Sequence, residues 1–215
     1  MAYICLLLSG AALLVNGLTL LGRVPGRDSG VLNVLIGGLQ LLLSVAVAVT
    51  ADGSLPVLFS ITGTFLFGLT YLSVGLDALV GLGATGLGWF CGVVSAVALV
   101  FAVTNAPVDP VLAVLWATWA GLWSLFFVLL ALGRPIGRYT AWALVLASQT
   151  TATVPALLGL SGHWPTGPGW TTAAGVVAVV VFGGAALLTR RPRRPGVVAV
   201  GDAATDTAPG PTAVA

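Results

Sequence analysis

Residues 111–132 read VLAVLWATWAGLWSLFFVLLAL, a run of 22 positions without a charged side chain. An α-helix needs roughly 20 apolar residues to cross the hydrocarbon core of a bilayer. Across the whole sequence, 7% of residues are charged and 58% are hydrophobic, and the mean hydropathy is +1.09. Because soluble domains carry about 25% charged residues, this composition predicts a membrane protein.

The sequence contains seven apolar runs of this kind, separated by short links with Gly, Pro, Asp or Arg, which are typical of turns. We therefore predict an all-α, polytopic transmembrane bundle. Its seven helices are expected at approximately Tyr3–Leu21, Val31–Thr50, Leu55–Gly75, Thr85–Thr104, Val111–Leu132, Ala141–Leu160 and Trp170–Thr189. The first run is expected to be retained, because a secretory signal peptide carries its basic residues before the apolar run and not after it.

The arginines predict the orientation of the chain. All eight follow the first, fifth or seventh run, and basic residues in short loops are retained on the cytoplasmic side. An odd number of spans then places the N-terminus outside the cell and the C-terminus in the cytoplasm. The segment after Arg194 is rich in small residues and lacks periodicity, so we expect a disordered cytoplasmic tail.

Two of the turns on this side share a sequence. LGRVPGR at 21–27 is echoed by LGRPIGR at 132–138. The echo is either the trace of a duplication, as many transporters have, or the result of shared turn chemistry, since a repeat claim needs similarity over whole helices.

The absence of charge from the apolar runs excludes several classes of protein. Ion pumps, proton-coupled carriers and voltage sensors depend on ionisable side chains inside the membrane, and a retinal protein needs a lysine, which the sequence lacks. Cys5 and Cys91 are predicted to act as small hydrophobes. His163 has no Cys/His cluster around it, so no metal or other cofactor is expected. No catalytic motif is present, and we predict that the chain is not an enzyme.

An aromatic stripe runs along the fifth run. Trp116, Trp119, Trp123 and Phe127 fall within an arc of about 80° on a helix. Trp119 and Trp123 lie too deep in the run for an interfacial aromatic belt, which forms at helix ends. Packing between helices and the lining of a path both remain open as explanations.

Polar and aromatic residues also share faces on other runs. These faces comprise Leu6, Ser9, Leu13 and Asn16 in run one, Phe67 and Tyr71 in run three, and Trp142, Gln149 and Thr153 in run six. Uncharged polar groups inside a bilayer must face protein or water, since lipid cannot satisfy them. The amides of Asn16, Asn33, Gln40 and Gln149 are therefore expected to point inward, either as interhelical glue or as lining.

A neutral path of this kind would discriminate by charge. An ion would lose its hydration there without compensation, whereas a small planar amide such as urea could lie against the rings and bond to the amides. Our leading hypothesis is a passive channel or facilitator for small neutral amides. The alternative is a non-transporting membrane assembly subunit, in which the aromatic faces serve only for packing.

Six short motifs support this hypothesis. They are Asn16–Gly17, VLNVLIGG at 31–38, LFGLTYL at 66–72, LWATWAGLW at 115–123, PIGRYTAW at 135–142, and VPALL at 154–158 followed by SGHW at 161–164. At these positions the sequence resembles the AmiS/UreI family of urea and amide channels. The resemblance covers residues 1–164 in the family's order.

The resemblance implies a six-helix channel core over residues 1–164. The additional transmembrane helix over 165–189 and the basic tail over 190–215 extend beyond this six-helix pattern. It also implies a homo-hexameric ring with one pore per protomer, and a functional link to a cytoplasmic amidase or urease. The residues that it places along the substrate pathway are Leu6, Leu13, Asn16, Phe67, Tyr71, Trp116, Trp119 and Trp123; the shared face of run six adds Trp142 and Gln149.

The sequence departs from the family's acid-gated members. Those channels resemble each other in a histidine-rich outer loop, whereas the corresponding ADGSLP at 51–56 has no histidine, and a family glutamate is replaced by Ala147. Acid gating is therefore not expected, and His163 is interpreted as a solvated loop residue. The seventh run resembles the amide-transporter branch of the family.

Glycines predict close helix packing in the middle of the chain. Gly88 and Gly92 form a small-xxx-small pair in run four, and Gly63 and Gly68 lie in run three. Such glycines permit near contact between helix backbones, either within a protomer or between neighbours.

Overall fold

Seven helices form the bundle in a computed structural model that describes residues 2–190. They are α1 (Ala2–Leu20), α2 (Gly26–Thr50), α3 (Leu55–Val80), α4 (Thr85–Asn105), α5 (Pro110–Ala131), α6 (Gly137–Leu160) and α7 (Pro168–Arg190). All seven are long and apolar enough to cross a membrane, and residues 2–190 contain no strand. The predicted all-α transmembrane bundle is confirmed. The expected tail after Arg194 lies outside the described residues.

Four helices are longer than predicted at their charged ends. α2 begins at Gly26 and α3 continues to Val80, so that Arg27, Asp28 and Asp77 lie in terminal helical turns. α6 begins at Gly137 and so includes Arg138, and α7 ends at Arg190. These charged residues lie outside the predicted apolar runs, which hold no charged side chain. The Asp77 carboxylate accepts the backbone N–H of Gly83 at 2.7 Å, in the turn that connects α3 to α4.

Two helices contain a π-helical segment. α5 is π-helical over Phe127–Ala131, and α6 is π-helical over Ser148–Thr153. Pro155 follows the second segment, and it has no N–H to donate to the carbonyl of Thr151, four residues earlier. Local π-helical adjustment is a common way for transmembrane helices to accommodate a proline. The π segments change which side chains share a face, because they break the 3.6-residue period.

The α2–α3 pair has the most extensive contact in the bundle, and glycines bring the two backbones together. A Cβ at Gly37 would lie 2.5 Å from the backbone nitrogen of Leu72 and 2.7 Å from the carbonyl oxygen of Gly68. Further along the pair, a Cβ at Gly75 would lie 2.7 Å from the carbonyl oxygen of Gly30. Only glycine fits at these positions, and the close approach maximises van der Waals contact between the helices.

The glycines predicted to pack tightly do so within the chain. Gly88 and Gly92 of α4 face α5, and a Cβ at Gly88 would lie 2.9 Å from the carbonyl carbon of Leu130. Gly68 of α3 faces α2, and Gly63 of α3 leaves room for an indole of α5. These contacts decide between the two possibilities left open by the sequence in favour of packing inside one protomer.

Helix α7 lies on the outside of α5 and α6. The Phe182 ring packs against Gly121 of α5, where a Cβ would lie 2.7 Å from the ring, and the hydroxyl of Tyr139 in α6 donates to the Phe182 carbonyl oxygen at 3.3 Å. The rest of the helix is largely exposed and apolar, including Val179 and Leu187. An exposed apolar helix face of this kind is suited to contact with lipid.

The two echoed turns share a backbone conformation. Gly22 and Gly133 end α1 and α5 in the left-handed region, with φ of 72° and 63°, and each is followed by an arginine. Glycine is the usual residue at this position after a helix, so the two turns share their helix-ending chemistry as well as their sequence. The five arginines of residues 2–190 all lie at this end of the bundle, which we call the arginine end.

The glycine contact between α2 and α3 predicts opposite effects at two adjacent positions. Gly37→Ala should destabilise the protein by about 1–3 kcal/mol, because an added methyl would overpack the interface. Gly38→Ala is the matched control: no atom lies within 4 Å of the position that its added methyl would take, and alanine favours helix by up to about 1 kcal/mol. Thermal unfolding of the two variants in detergent, followed by circular dichroism, measures the difference. Equal stability of the two variants would contradict the close approach.

Candidate functional site

An aromatic cluster occupies the centre of the bundle between α3 and α5. The Phe67 ring contacts all three tryptophans of α5, with centroid distances of 5.5 Å to Trp116, 5.7 Å to Trp119 and 4.6 Å to Trp123. The Phe67 ring is stacked on Trp123 at 15° and meets Trp119 edge to face at 86°. The three indoles are only 8%, 4% and 2% exposed. They therefore face the protein interior and not the lipid.

Helix α4 extends this cluster with an aromatic ring that the sequence pattern did not reveal. Phe101 stacks on Trp116 at 4.6 Å and contacts Phe59 of α3 at 4.3 Å. Phe101 is not part of a regular aromatic or polar face on α4. The periodicity of a single helix does not predict which residues of a neighbouring helix contact it. Phe127, by contrast, leaves the predicted stripe and packs against Trp89 of α4 at 5.2 Å. The π segment of α5 begins at this residue.

Two indole N–H groups bond to threonines of other helices. Trp119 Nε1 donates to Thr151 Oγ1 of α6 at 3.2 Å, and Trp123 Nε1 donates to Thr70 Oγ1 of α3 at 3.4 Å. Both threonines are buried, and neither was identified from the sequence. Thr70 lies inside the LFGLTYL motif, beside residues that were identified, and its role depends on a partner 53 positions away.

The other predicted pathway residues are distributed unevenly. Leu13 and Tyr71 are buried in the same core as the aromatic cluster, and Leu6 and Trp142 pack against it while partly exposed. Gln149 is exposed, and its Nε2 donates only to its neighbour Ser148 at 3.3 Å. This corrects the expectation that Gln149 faces the interior. The residue lies inside the π segment of α6, where the helical period used for that prediction no longer applies.

Two buried amides join α1 to α2. Asn16 Nδ2 donates to Asn33 Oδ1 at 3.0 Å, and Asn33 Nδ2 donates to Asn16 Oδ1 at 2.6 Å and to the Ser29 carbonyl oxygen at 2.8 Å. Asn33 is fully buried and Asn16 is 8% exposed. Both amides point inward as predicted, and their reciprocal bonds make them interhelical glue.

Three other polar side chains in the interior retain unused hydrogen-bonding capacity. Gln40 Nε2 donates to the Cys5 carbonyl oxygen at 2.7 Å and to Ser9 Oγ at 2.9 Å, whereas its Oε1 has no partner. The Tyr71 hydroxyl lies near Ser9 without making a bond of ordinary geometry, and the indole N–H of Trp142 is also unpaired. Because an unmade bond to a buried polar group costs about 1–3 kcal/mol, these atoms are candidates for contact with a solute.

The Asp, Arg and His side chains of residues 2–190 lie in turns or terminal helical turns. At the arginine end, the Arg23 guanidinium lies 6.0 Å from the Trp142 ring centroid. At the opposite end, Asp109 accepts the backbone N–H of Leu112 at 2.9 Å, which caps α5, and the indole N–H of Trp164 at 2.8 Å. Residues 2–190 hold no group of three His, Cys, Asp or Glu side chains that could bind a metal ion.

An all-α bundle of seven apolar spans around a buried, uncharged aromatic centre defines a multi-pass membrane protein. Residues 1–163 match the model of the AmiS/UreI family transporter. The chain therefore belongs to the AmiS/UreI family, whose members and solved neighbours are channels or transporters and not enzymes.

Individual relatives agree with this assignment. The chain is 44% identical to the putative transporter protein AmiS2 of Rhodococcus erythropolis over 80% of its own length and 87% of the relative's. It is 39% identical to a putative amidate substrates transporter protein of Mycolicibacterium smegmatis over 80% of its length and 81% of the relative's. The crystal structure of the urea channel from Helicobacter pylori superimposes with a TM-score of 0.71 at 26% identity, covering 77% of this chain and all of that one.

The reciprocal amide pair predicts a measurable coupling between α1 and α2. Asn16→Leu and Asn33→Leu should each destabilise the protein, because each leaves a buried amide without its partner. The double variant should lose less stability than the sum of the two single losses, by about 0.6 kcal/mol, the average for interhelical hydrogen bonds in membranes, and by at most about 1.7 kcal/mol. A double-mutant cycle on the free energy of unfolding in detergent gives this coupling. Strict additivity would show that the pair contributes nothing.

Proposed function

We propose that this chain is a passive channel or facilitator for small neutral amides, namely urea and acetamide-like short-chain amides. The observation that carries the proposal is the aromatic centre formed by Phe67, Trp116, Trp119 and Trp123, in which no ionised side chain takes part. The names of the relatives, an amidate substrates transporter and an acid-activated urea channel, support the solute class.

The centre favours neutral solutes on physical grounds. An ion entering it would exchange its hydration shell for ring carbons, and that exchange costs many kcal/mol without charged or carbonyl groups in compensation. An amide is planar and uncharged, so its faces can lie against indole rings. The nearest charged groups lie at the two ends of the bundle, where they cannot compensate an ion at the centre.

The unpaired polar atoms complement an amide in both senses of the hydrogen bond. Gln40 Oε1 can accept from an amide NH₂ group, while the Tyr71 hydroxyl and the Trp142 N–H can donate to an amide carbonyl. A primary amide or urea offers both a donor and an acceptor. An apolar molecule of the same size would leave these atoms unpaired.

The proposed pathway therefore keeps most of the residues expected from the sequence. It comprises Leu6, Leu13, Phe67, Tyr71, Trp116, Trp119, Trp123 and Trp142, with Gln40 added. We assign Asn16 to the junction of α1 and α2, because its amide is bonded to Asn33, and we leave Gln149 out, because it is exposed on the surface of the chain.

The rings of the centre touch one another, and this contact sets the mode of passage. Phe67 and Trp123 are stacked at 4.6 Å, and Trp116 meets Trp119 edge to face at 5.0 Å. A solute crosses this level only when the packed rings move apart. Larger amides require larger displacements of a packed core, so the centre acts as a size filter.

The topology and assembly of the protein form part of the proposal. The arginine end faces the cytoplasm, the N-terminus lies outside, and residues 190–215 form a cytoplasmic tail. Residues 1–164 form the channel core, 165–189 add one helix, and six protomers form a ring. A cytoplasmic amidase or urease consumes the solute. The path is constitutive and not acid-gated, since residues 51–56 hold no histidine and Ala147 is an uncharged, fully buried residue.

Transport by purified protein tests the proposal directly. In proteoliposomes the protein should accelerate entry of acetamide and urea, measured by stopped-flow light scattering, and should carry no ion current in planar bilayers. Permeability equal to that of empty vesicles would favour the assembly-subunit alternative. Uphill accumulation driven by a proton gradient would contradict passive transport.

Variants of the central ring use the same assay. Trp119→Ala should raise the permeability to larger amides such as butyramide several-fold relative to acetamide, because the indole no longer fills the centre. Truncation of a buried tryptophan to alanine lowers the free energy of unfolding by about 3–5 kcal/mol. Trp119→Phe, which keeps an aromatic ring, is therefore the second variant. Trp170→Ala is the matched control, since Trp170 is 55% exposed on α7; it should leave the size preference unchanged.

Because the Tyr71 hydroxyl is unpaired, we expect its removal to change transport without lowering the stability of the protein. Tyr71→Phe removes an unpaired buried hydroxyl, so it should leave the melting temperature equal or higher while it lowers urea and acetamide permeability several-fold. Tyr139→Phe is the control, because it removes a hydroxyl that is bonded to the Phe182 carbonyl oxygen; it should lower the melting temperature and leave permeability intact. Unchanged permeability in Tyr71→Phe would remove this hydroxyl from the pathway.

A further inference from the structure

The two deepest indoles of α5 have the same arrangement. Trp119 donates its N–H to Thr151 at 3.2 Å, and Trp123 donates its N–H to Thr70 at 3.4 Å. The two threonines belong to α6 and α3, so the donors are bonded to helices on two sides of α5. All four side chains are less than 5% exposed.

The threonine hydroxyls have a fixed direction in these bonds. Thr151 Oγ1 donates to the Ala147 carbonyl oxygen at 2.8 Å, and Thr70 Oγ1 donates to the Leu66 carbonyl oxygen at 2.8 Å. A hydroxyl has one hydrogen, and here that hydrogen is used within the threonine's own helix. The oxygen can therefore only accept from the indole. Each N–H thus has an acceptor that cannot rotate to act as a competing donor.

Thr151 reaches Trp119 from the π-helical segment of α6. This segment covers Ser148–Thr153 and directly precedes Val154 and Pro155. The carbonyl of Thr151 is the one that a regular helix would bond to the missing N–H of the proline. π segments inside transmembrane helices frequently occur at functional sites. Here the segment carries the one α6 side chain that bonds to an indole of the cluster.

We propose that Thr151 and Thr70 are positioning residues, which hold the indoles of Trp119 and Trp123 so that their N–H donors are bonded to protein and their ring surfaces face the solute. The inference rests on the proposed function. At this level of the path a solute meets rings without free donors, so selection depends on size and shape. Hydrogen bonding to the solute is left to Gln40 Oε1 and the other unpaired groups.

Three variants isolate the hydroxyl. Thr151→Val replaces the acceptor with a methyl group of equal size, and Thr151→Ser keeps the acceptor. Thr118→Val is the matched control on α5, because Thr118 is buried but its hydroxyl bonds only to the Val114 carbonyl oxygen of its own helix. In proteoliposomes, Thr151→Val should change the permeability ratio of butyramide to acetamide several-fold. Thr151→Ser and Thr118→Val should both keep the wild-type ratio.

A spectroscopic measurement tests the positioning without reference to transport. In protein labelled with ¹⁵N-indole tryptophan, the Trp119 N–H resonance is assigned by its loss in Trp119→Phe. Its exchange with solvent should be several-fold faster in Thr151→Val than in wild type, Thr151→Ser or Thr118→Val.

Two results would overturn the inference. One is an unchanged permeability ratio in Thr151→Val, and the other is an unchanged exchange rate of the Trp119 N–H in that variant. If wild-type vesicles transport no amide while the exchange rates change as stated, the anchoring of the indole stands and the proposed function fails. The two failures are therefore distinguishable.

Discussion

The contact of one phenylalanine with three tryptophans holds the centre of this protein together. Phe67 contacts Trp116, Trp119 and Trp123 at the same time. It can do so because α3 is held in place by its packing against α2. Its neighbour Gly68 lies against α2, where the backbones of the two helices touch. Consecutive residues of α3 thus point to different partners, one to a helix at contact distance and one to the aromatic centre. The glycine on the face of α3 towards α2 lets the two helices lie close together, and the face towards α5 then has room for the large Phe67 ring.

Sequence patterns predicted the helices and most of the inward faces. In a membrane protein, apolar runs mark the segments that cross the lipid, and polar residues within them mark the faces that turn away from it. The patterns failed where the backbone departs from the regular α-helix. Gln149 was placed by a 3.6-residue period, and it lies in the π-helical segment of α6. Phe101 and Thr151 were missed for a different reason. Their roles depend on which residues of another helix they meet, and a single sequence does not contain that information.

The polar interior separates into two groups with different physical roles. Asn16 and Asn33 bond to each other and so join two helices. Gln40 bonds through its nitrogen and leaves its oxygen unpaired, and Tyr71 leaves its hydroxyl unpaired. A protein that needed only stability would not bury these two atoms unpaired, because apolar side chains of the same shape would cost less. The hydrogen-bonded amides of Asn16 and Asn33 fit a structural role. The unpaired Gln40 oxygen and Tyr71 hydroxyl fit contact with a solute that is present only transiently.

Helix α7 has a consequence for how the tryptophan helix experiences the membrane. Gly121 lies between Trp119 and Trp123 on α5, and the Phe182 ring of α7 fills the notch above it. In a chain without α7, that notch would be open to acyl chains, whose length and unsaturation vary with growth conditions. A covalently attached phenylalanine gives α5 the same neighbour in every bilayer. The seventh helix therefore keeps the surface of α5 at Gly121 covered by protein.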